Sequence, residues 1–221
     1  MSQPVKLSWK SEIFPILLIL ISLPLSFYFY WHWPSIVISH WNFSGQPDGY
    51  APKTFMAFFF PILLLVMYLL FLIFPYLDPQ KKRYQEFAPT YHLFKSLIML
   101  VLFIVYILAG LYNLGYQINI AYTISLVIGL MMIVMGKYLD RIKFNWFMGI
   151  RTPWTLSSEN VWNRTHRLGG RLLMIFGLVL IIMPYLPPSL ALAAFIAGLL
   201  LLLAGTTIYS YLIFRQEKTK T

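Results

Sequence analysis

Two stretches of this chain, residues 96–136 and 172–214, contain no Asp, Glu, Lys or Arg. A helix that crosses a bilayer needs about 20 consecutive apolar residues. Each stretch is long enough to cross twice and carries a polar or Pro-rich interruption near its middle, so each predicts a helical hairpin. Lipid offers no water to an open backbone, so spanning segments of this kind must be helical. Composition points the same way. Of 221 residues, 59% are hydrophobic and 11% charged, whereas a soluble domain carries about 25% charged residues. There is too little polar surface here to cover a water-soluble fold.

Apolar runs predict six spans, at 13–31, 55–77, 96–114, 120–138, 168–186 and 190–214. The fifth starts least clearly, because Arg171 in its first turn must snorkel. Lys6 and Lys10 ahead of the first run resemble a signal peptide. That run is long, holds Pro15 and Pro24, and leads into Trp31-His32-Trp33-Pro34 rather than small residues. It predicts an uncleaved first helix.

Lys and Arg gather on the cytoplasmic side of membrane proteins. With six spans, sixteen of the 17 basic residues fall on one side and Lys53 alone on the other. Five or seven spans would scatter them. The fold expected is an all-α polytopic membrane protein, a six-helix bundle with both termini cytoplasmic. Residues 1–80 form a first helix pair around an extracytoplasmic loop at 32–54. Residues 81–221 form a four-helix region with a cytoplasmic amphipathic loop at 137–171. The net charge of +10 then sits inside, where it suits anionic lipid. The basic residues hug helix ends and form no separate domain, which gives no footing to direct nucleic-acid binding.

With no cysteine in the chain, disulfides and thiolate metal sites are excluded. No Asp, Glu, Lys, Arg or His is expected deep within a span. Such residues mark proton relays and ion paths, so their absence weighs against a pump, a proton-coupled transporter or a metal-dependent intramembrane enzyme. Ser125/Gly129 and Ala194/Gly198 have the small-xxx-small spacing of close helix packing. Asn113, Gln117 and Asn119 read as turn-forming.

Chemistry is left to the two long loops. The outer one contains His40, Asn42, Gly45, Asp48, Gly49 and Lys53. Pro47-Asp48-Gly49 is strong turn chemistry, and the surrounding Trp and Tyr suit a membrane interface. Metal binding by His32, His40 and Asp48 has no diagnostic spacing; no metal or cofactor is expected. In the inner loop, Pro153 disfavours helix at Thr152. Ser157 or Ser158 then caps a new helix with Glu159 in its first turn. From Asn160 the pattern is that of a short basic amphipathic helix feeding the fifth span, with Trp162 and His166 one turn apart and able to stack. Arg151 lies among Trp146, Phe147, Ile150 and Trp154 and could meet lipid phosphate, helix carbonyls or a partner.

The inner segment Asn145-Trp-Phe-Met-Gly-Ile-Arg-Thr-Pro-Trp154, continuing through Val161-Trp-Asn-Arg-Thr-His166, closely resembles the signature loop of the SdpI family of bacterial membrane proteins. His40-Trp-Asn-Phe-Ser-Gly-Gln-Pro-Asp-Gly-Tyr50 with Lys53 resembles the short domain of unknown function that often opens members of that family. The motif positions carried by the resemblance are Asn145, Gly149, Arg151, Thr152, Pro153, Trp154, Trp162, Thr165 and His166 inside. Outside they are His40, Asn42, Gly45, Asp48 and Gly49. The resemblance implies a multi-pass protein of the bacterial cell membrane, without catalytic residues, that gives immunity to a secreted membrane-active peptide toxin. It also implies a possible transcriptional repressor docked at the cytoplasmic face. A transport or permeation protein and an enzyme using Arg151 and His166 on an anionic lipid-like substrate are the alternatives.

Overall fold

The computed structural model describes residues 4–42 and 44–219. Phe43 of the outer loop and Lys220 of the inner basic set lie outside the described residues. The elements run α1 (Trp9–His32), β1 (Ile36–Trp41), β2 (Pro47–Pro52), α2 (Lys53–Leu77), α3 (Ala88–Asn113), α4 (Ile120–Tyr138), α5 (Glu159–Ile182) and α6 (Pro188–Lys218). Among the described residues six helices are long and apolar enough to cross a membrane. The protein is an all-α polytopic bundle, and the β1–β2 hairpin is the one sheet among the described residues. The chain forms two compact units. One holds residues 7–72 and 95–127; the other holds residues 73–94 and 128–219 with the N-terminal 4–6.

In the first unit, Ser8 caps α1. Its hydroxyl accepts from Ser11 N–H, and the Ser11 hydroxyl in return accepts from Ser8 N–H. This reciprocal pair satisfies backbone donors that a helix start leaves open. The core clusters Phe29, Trp33, Val37, Met56, Ala57 and Tyr106. Phe29 stacks on Trp33 at 4.8 Å, and the Trp33 indole donates to the Gly110 carbonyl at 3.1 Å. A Cβ on Gly110 would lie 2.1 Å from the Phe29 ring, so only glycine lets that ring seat.

The same unit buries an ion pair near the ends of its helices, each partner one residue outside the spans expected from the sequence. α3 begins at Ala88, eight residues before the expected boundary, and Lys95 is two turns inside it. Lys95 is 1% exposed. Its ammonium contacts both carboxylate oxygens of Glu12, in the first turn of α1, at 2.7 Å. Tyr68 of α2 donates to the same carboxylate at 2.9 Å, and Ser11 donates to it at 2.9 Å. The sequence places the span boundary at the charge itself, but opposite charges and hydrogen bonds make this charge tolerable inside the bundle.

In the second unit, α4 and α5 meet backbone to backbone. A Cβ on Gly129 would lie 2.6 Å from the Gly177 carbonyl, and one on Gly136 would lie 2.6 Å from the Gly170 carbonyl. Small residues allow such approach where burial of apolar surface offers little gain. Gly170→Val should therefore cost about 3 kcal/mol through overpacking, since the clashing atom belongs to rigid backbone. Gly205→Val, which would meet only the flexible ends of Leu172 and Leu201, should be near neutral. Folded yield by fluorescence-detected size exclusion compares the two. Phe176 and Leu180 of α5 cluster with Met183 and Ala191 at the turn into α6.

Candidate functional site

The segment joining α4 to α5 holds most of the motif, and the structure answers why it carries so many polar residues. Asn145 is fully buried. Its Oδ1 accepts from the N–H groups of Phe147 (2.9 Å) and Met148 (2.6 Å). Its Nδ2 donates to the carbonyls of Lys143 (2.8 Å) and Met148 (3.0 Å). One side chain thus folds the backbone around itself. Asp78, also buried, was not singled out from the sequence. It accepts from Trp146 N–H (2.8 Å), the Tyr84 hydroxyl (2.8 Å) and Gln80 N–H (2.7 Å). Its only sequence signal is an acid lying just past the end of a span.

Farther along, Thr152 and Thr155 bond reciprocally. Thr152 N–H donates to the Thr155 hydroxyl at 2.8 Å, and Thr155 N–H donates to the Thr152 hydroxyl at 3.1 Å. The Thr155 hydroxyl donates onward to the Ile150 carbonyl at 2.9 Å. The Thr152 hydroxyl also pairs with that of Ser210 on α6 at 2.9 Å, and Trp154 packs on Tyr211. Arg151 reaches the Trp146 carbonyl at 2.7 Å, so it braces the loop. Pro153 stays exposed.

Ser158 caps α5, accepting from Val161 N–H, and Glu159 sits in the first turn as expected. The amphipathic stretch is not a separate helix, however. α5 runs unbroken from Glu159 through Gly169 and Gly170, because those glycines serve close packing and do not end the helix. Trp162 and His166 stack at 4.1 Å. The Trp162 indole donates to the Ile142 carbonyl at 2.8 Å. His166 is fully buried. Its Nε2 accepts from Ile150 N–H at 3.0 Å, and its Nδ1 lies 2.9 Å from the Trp162 carbonyl. These partners define a neutral ring with the proton on Nδ1. Gly149, at φ +109°, abuts the Nε2 edge of that ring. Thr165 is buried with its hydroxyl lacking a hydrogen-bond partner among the described residues.

The loop after α1 is a β-hairpin, where the sequence predicts turns alone. β1 pairs antiparallel with β2, Ile38 opposite Tyr50 and His40 opposite Gly49. The Asn42 Oδ1 accepts from Ser44 and Gln46 N–H and shapes the tip, where Gly45 takes φ +74°. His40 and Asp48 form an exposed pair at 2.5 Å. A Cβ on Gly49 would lie 2.7 Å from that of His40, so Gly49 leaves room for the histidine to cross the strands. His32 lies apart, stacked on Tyr28 with Nδ1 at the Tyr28 carbonyl. Lys53 caps the end of α1 through the Trp33 carbonyl at 3.3 Å and lies over the Tyr30 ring, a favourable place for a cation. Asn113 is no turn residue. Its amide donates to the Ile38 carbonyl (2.9 Å) and accepts from Ile38 N–H (2.8 Å).

Residues 141–211 match the SdpI/YfhL protein family. Residues 17–65 match a domain of unknown function, DUF1648. The chain is 26% identical over 207 residues to a Bacillus subtilis (strain 168) protein named "Immunity protein SdpI", covering 94% of this chain and 97% of that relative. No solved structure matches.

Proposed function

We propose that this chain, a multi-pass bacterial membrane protein of the SdpI/YfhL family, is an immunity protein that protects its cell from a secreted membrane-active peptide toxin. The observation that carries the reading is similarity to an immunity protein along nearly the full length of both chains. In this reading the β1–β2 hairpin faces outward and presents His40, Asp48 and Tyr50 to the toxin, and both termini are cytoplasmic. The α4–α5 connection faces the cytoplasm. Its motif side chains point inward and build a rigid platform, and Trp146, Arg151 and Pro153 remain on the surface to meet a partner such as a transcriptional repressor. An enzymatic role for His166 and Arg151 finds no support in the geometry. Both ring nitrogens and the guanidinium are engaged in holding the loop.

The test is expression in a toxin-sensitive bacterium challenged with the secreted peptide of the producing strain and with related peptides. Survival should rise at least tenfold. No change with any peptide rejects the immunity reading. An exposed ion pair contributes about 0–1 kcal/mol to folding, so His40→Ala and Asp48→Ala should leave expression intact and lower survival at least tenfold. Full protection by both variants rejects the hairpin as the toxin contact. A repressor partner is checked separately, by its shift to the membrane fraction only when this chain is present.

Permeation gains one observation, the buried Glu12–Lys95 pair, because ionisable residues within membrane helices often mark paths. Ion flux in proteoliposomes that is lost in Glu12→Gln would favour that second reading.

A further inference from the structure

The glycine contacts fix more than the distance between α4 and α5. Gly129 meets Gly177 and Gly136 meets Gly170, so the two helices run antiparallel. Each residue turns about 100° around its helix. In an antiparallel pair, the residue after each contact glycine therefore swings to the same side. Those residues are Lys137 on α4 and Arg171 on α5, and both are exposed.

On α5 the exposed stripe continues in both directions at intervals of three and four. Toward the N-terminus it holds Arg167 and then Arg164. Away from it come Ile175, Leu178 and Ile182, each about half exposed. On α4, two turns deeper than Lys137, Leu130 is half exposed on the same side. The face thus changes from cationic to apolar within one turn, between Arg171 and Ile175. Among the described residues, Lys137, Arg167 and Arg171 belong to no ion pair, while Arg164 acts on the Glu217 carboxylate. Asp140, exposed on the turn after α4, leaves the face strongly positive.

We propose that this face of the α4–α5 pair binds one anionic phospholipid, its phosphate held by Lys137, Arg167 and Arg171 and its acyl chains lying along Leu130, Ile175 and Leu178. The glycine contacts bring the two backbones together at this level, so the groove beside them is shallow enough for a chain to lie in it. Arginine suits the headgroup because its planar fork can grip phosphate with two parallel hydrogen bonds. An acidic protein segment in water could reach the cations but not the apolar half of the stripe. The lipid belongs to the leaflet on the side of the α4–α5 connection.

Native mass spectrometry of the full chain in mild detergent tests this, with phosphatidylglycerol and phosphatidylcholine offered in equal amounts. Phosphatidylglycerol should be retained in preference, as one tightly held copy. A cation near a membrane surface contributes about a fivefold effect on binding of anionic lipid. Lys137→Gln with Arg167→Gln and Arg171→Gln should thus lower retention about a hundredfold, and each single change about fivefold. Arg215→Gln with Lys218→Gln removes charge at the end of α6 and should leave retention unchanged. Glycerophosphate, a headgroup without chains, should not compete at equal concentration.

Equal retention of the two lipids, or equal losses in the α4–α5 and α6 variants, would reduce the face to unspecific charge and overturn the proposal. Competition by glycerophosphate would make it a phosphate site and overturn the lipid assignment. Unchanged retention by the triple variant would do the same. Because the altered side chains are exposed, an unshifted size-exclusion profile confirms that each variant is folded. None of these outcomes depends on the immunity reading.

Discussion

Lys95→Met should destabilise the protein by about 3–5 kcal/mol, the effect of leaving one buried charge without its counter-ion. The carboxylate of Glu12 would keep the Tyr68 and Ser11 hydroxyls but lose the ammonium that contacts both of its oxygens. The ammonium is 1% exposed and its partner carboxylate is buried, so water has little room to replace it. Total stability of an ordinary domain is about 5–15 kcal/mol, so much of the expressed protein should be lost in the single variant. The double variant Glu12→Gln with Lys95→Met should recover most of it. It removes both charges and leaves an amide oxygen for Tyr68. Thermal unfolding in detergent measures both. Equal losses in the single and double variants would show that the charges are not the cause. A double variant that folds normally but no longer protects cells would assign the pair a role in function.

The second large effect is expected at Gly149. Its φ of +109° is a conformation that side chains rarely adopt, and holding one there costs about 1–3 kcal/mol. A Cβ would also lie 2.3 Å from the His166 Nε2, on a ring held by Trp162 and closed off from solvent. Gly149→Ala must then displace the ring or break its bond from Ile150 N–H, a buried hydrogen bond whose loss adds about 1–3 kcal/mol. Gly115 provides the comparison. It has a similar φ of +94° but nothing within 4 Å of its missing Cβ, so Gly115→Ala should show the backbone cost alone. If the two substitutions lower the unfolding temperature equally, the packing of Gly149 on His166 contributes nothing.

Much of this architecture was legible from the sequence. Uncharged runs located the helices to within a turn or so at most ends. Pro153 and capping chemistry give a cap at Ser157 or Ser158, of which Ser158 is the cap, and helical spacing gives the Trp162–His166 stack. Misreadings arose where one residue's meaning depends on another far along the chain. Lys95 looked like a boundary because a lone charge does not enter lipid, and its partner is 83 residues away. Asn113 looked like a turn residue because its bonds to Ile38 span 75 residues. The hairpin was missed for the same reason, since two strands alone are marginal and Asn113 supplies the third partner. At the motif, the sequence gives Asn145, Thr152 and His166 without their partners; in the structure they, together with Thr155, satisfy the loop's own backbone.

The Asn113 clamp has a consequence for how this protein keeps company with itself and others. A strand with a free edge is a template on which another chain can polymerise. Asn113 occupies both backbone groups of Ile38 on the free side of β1. β2 begins and ends with proline, which has no N–H to offer at either end. The hairpin is thereby blunted against strand-to-strand aggregation in a crowded membrane. Whatever binds it will be read by side-chain shape and charge, and mimicry by an arbitrary extended peptide will gain little hold.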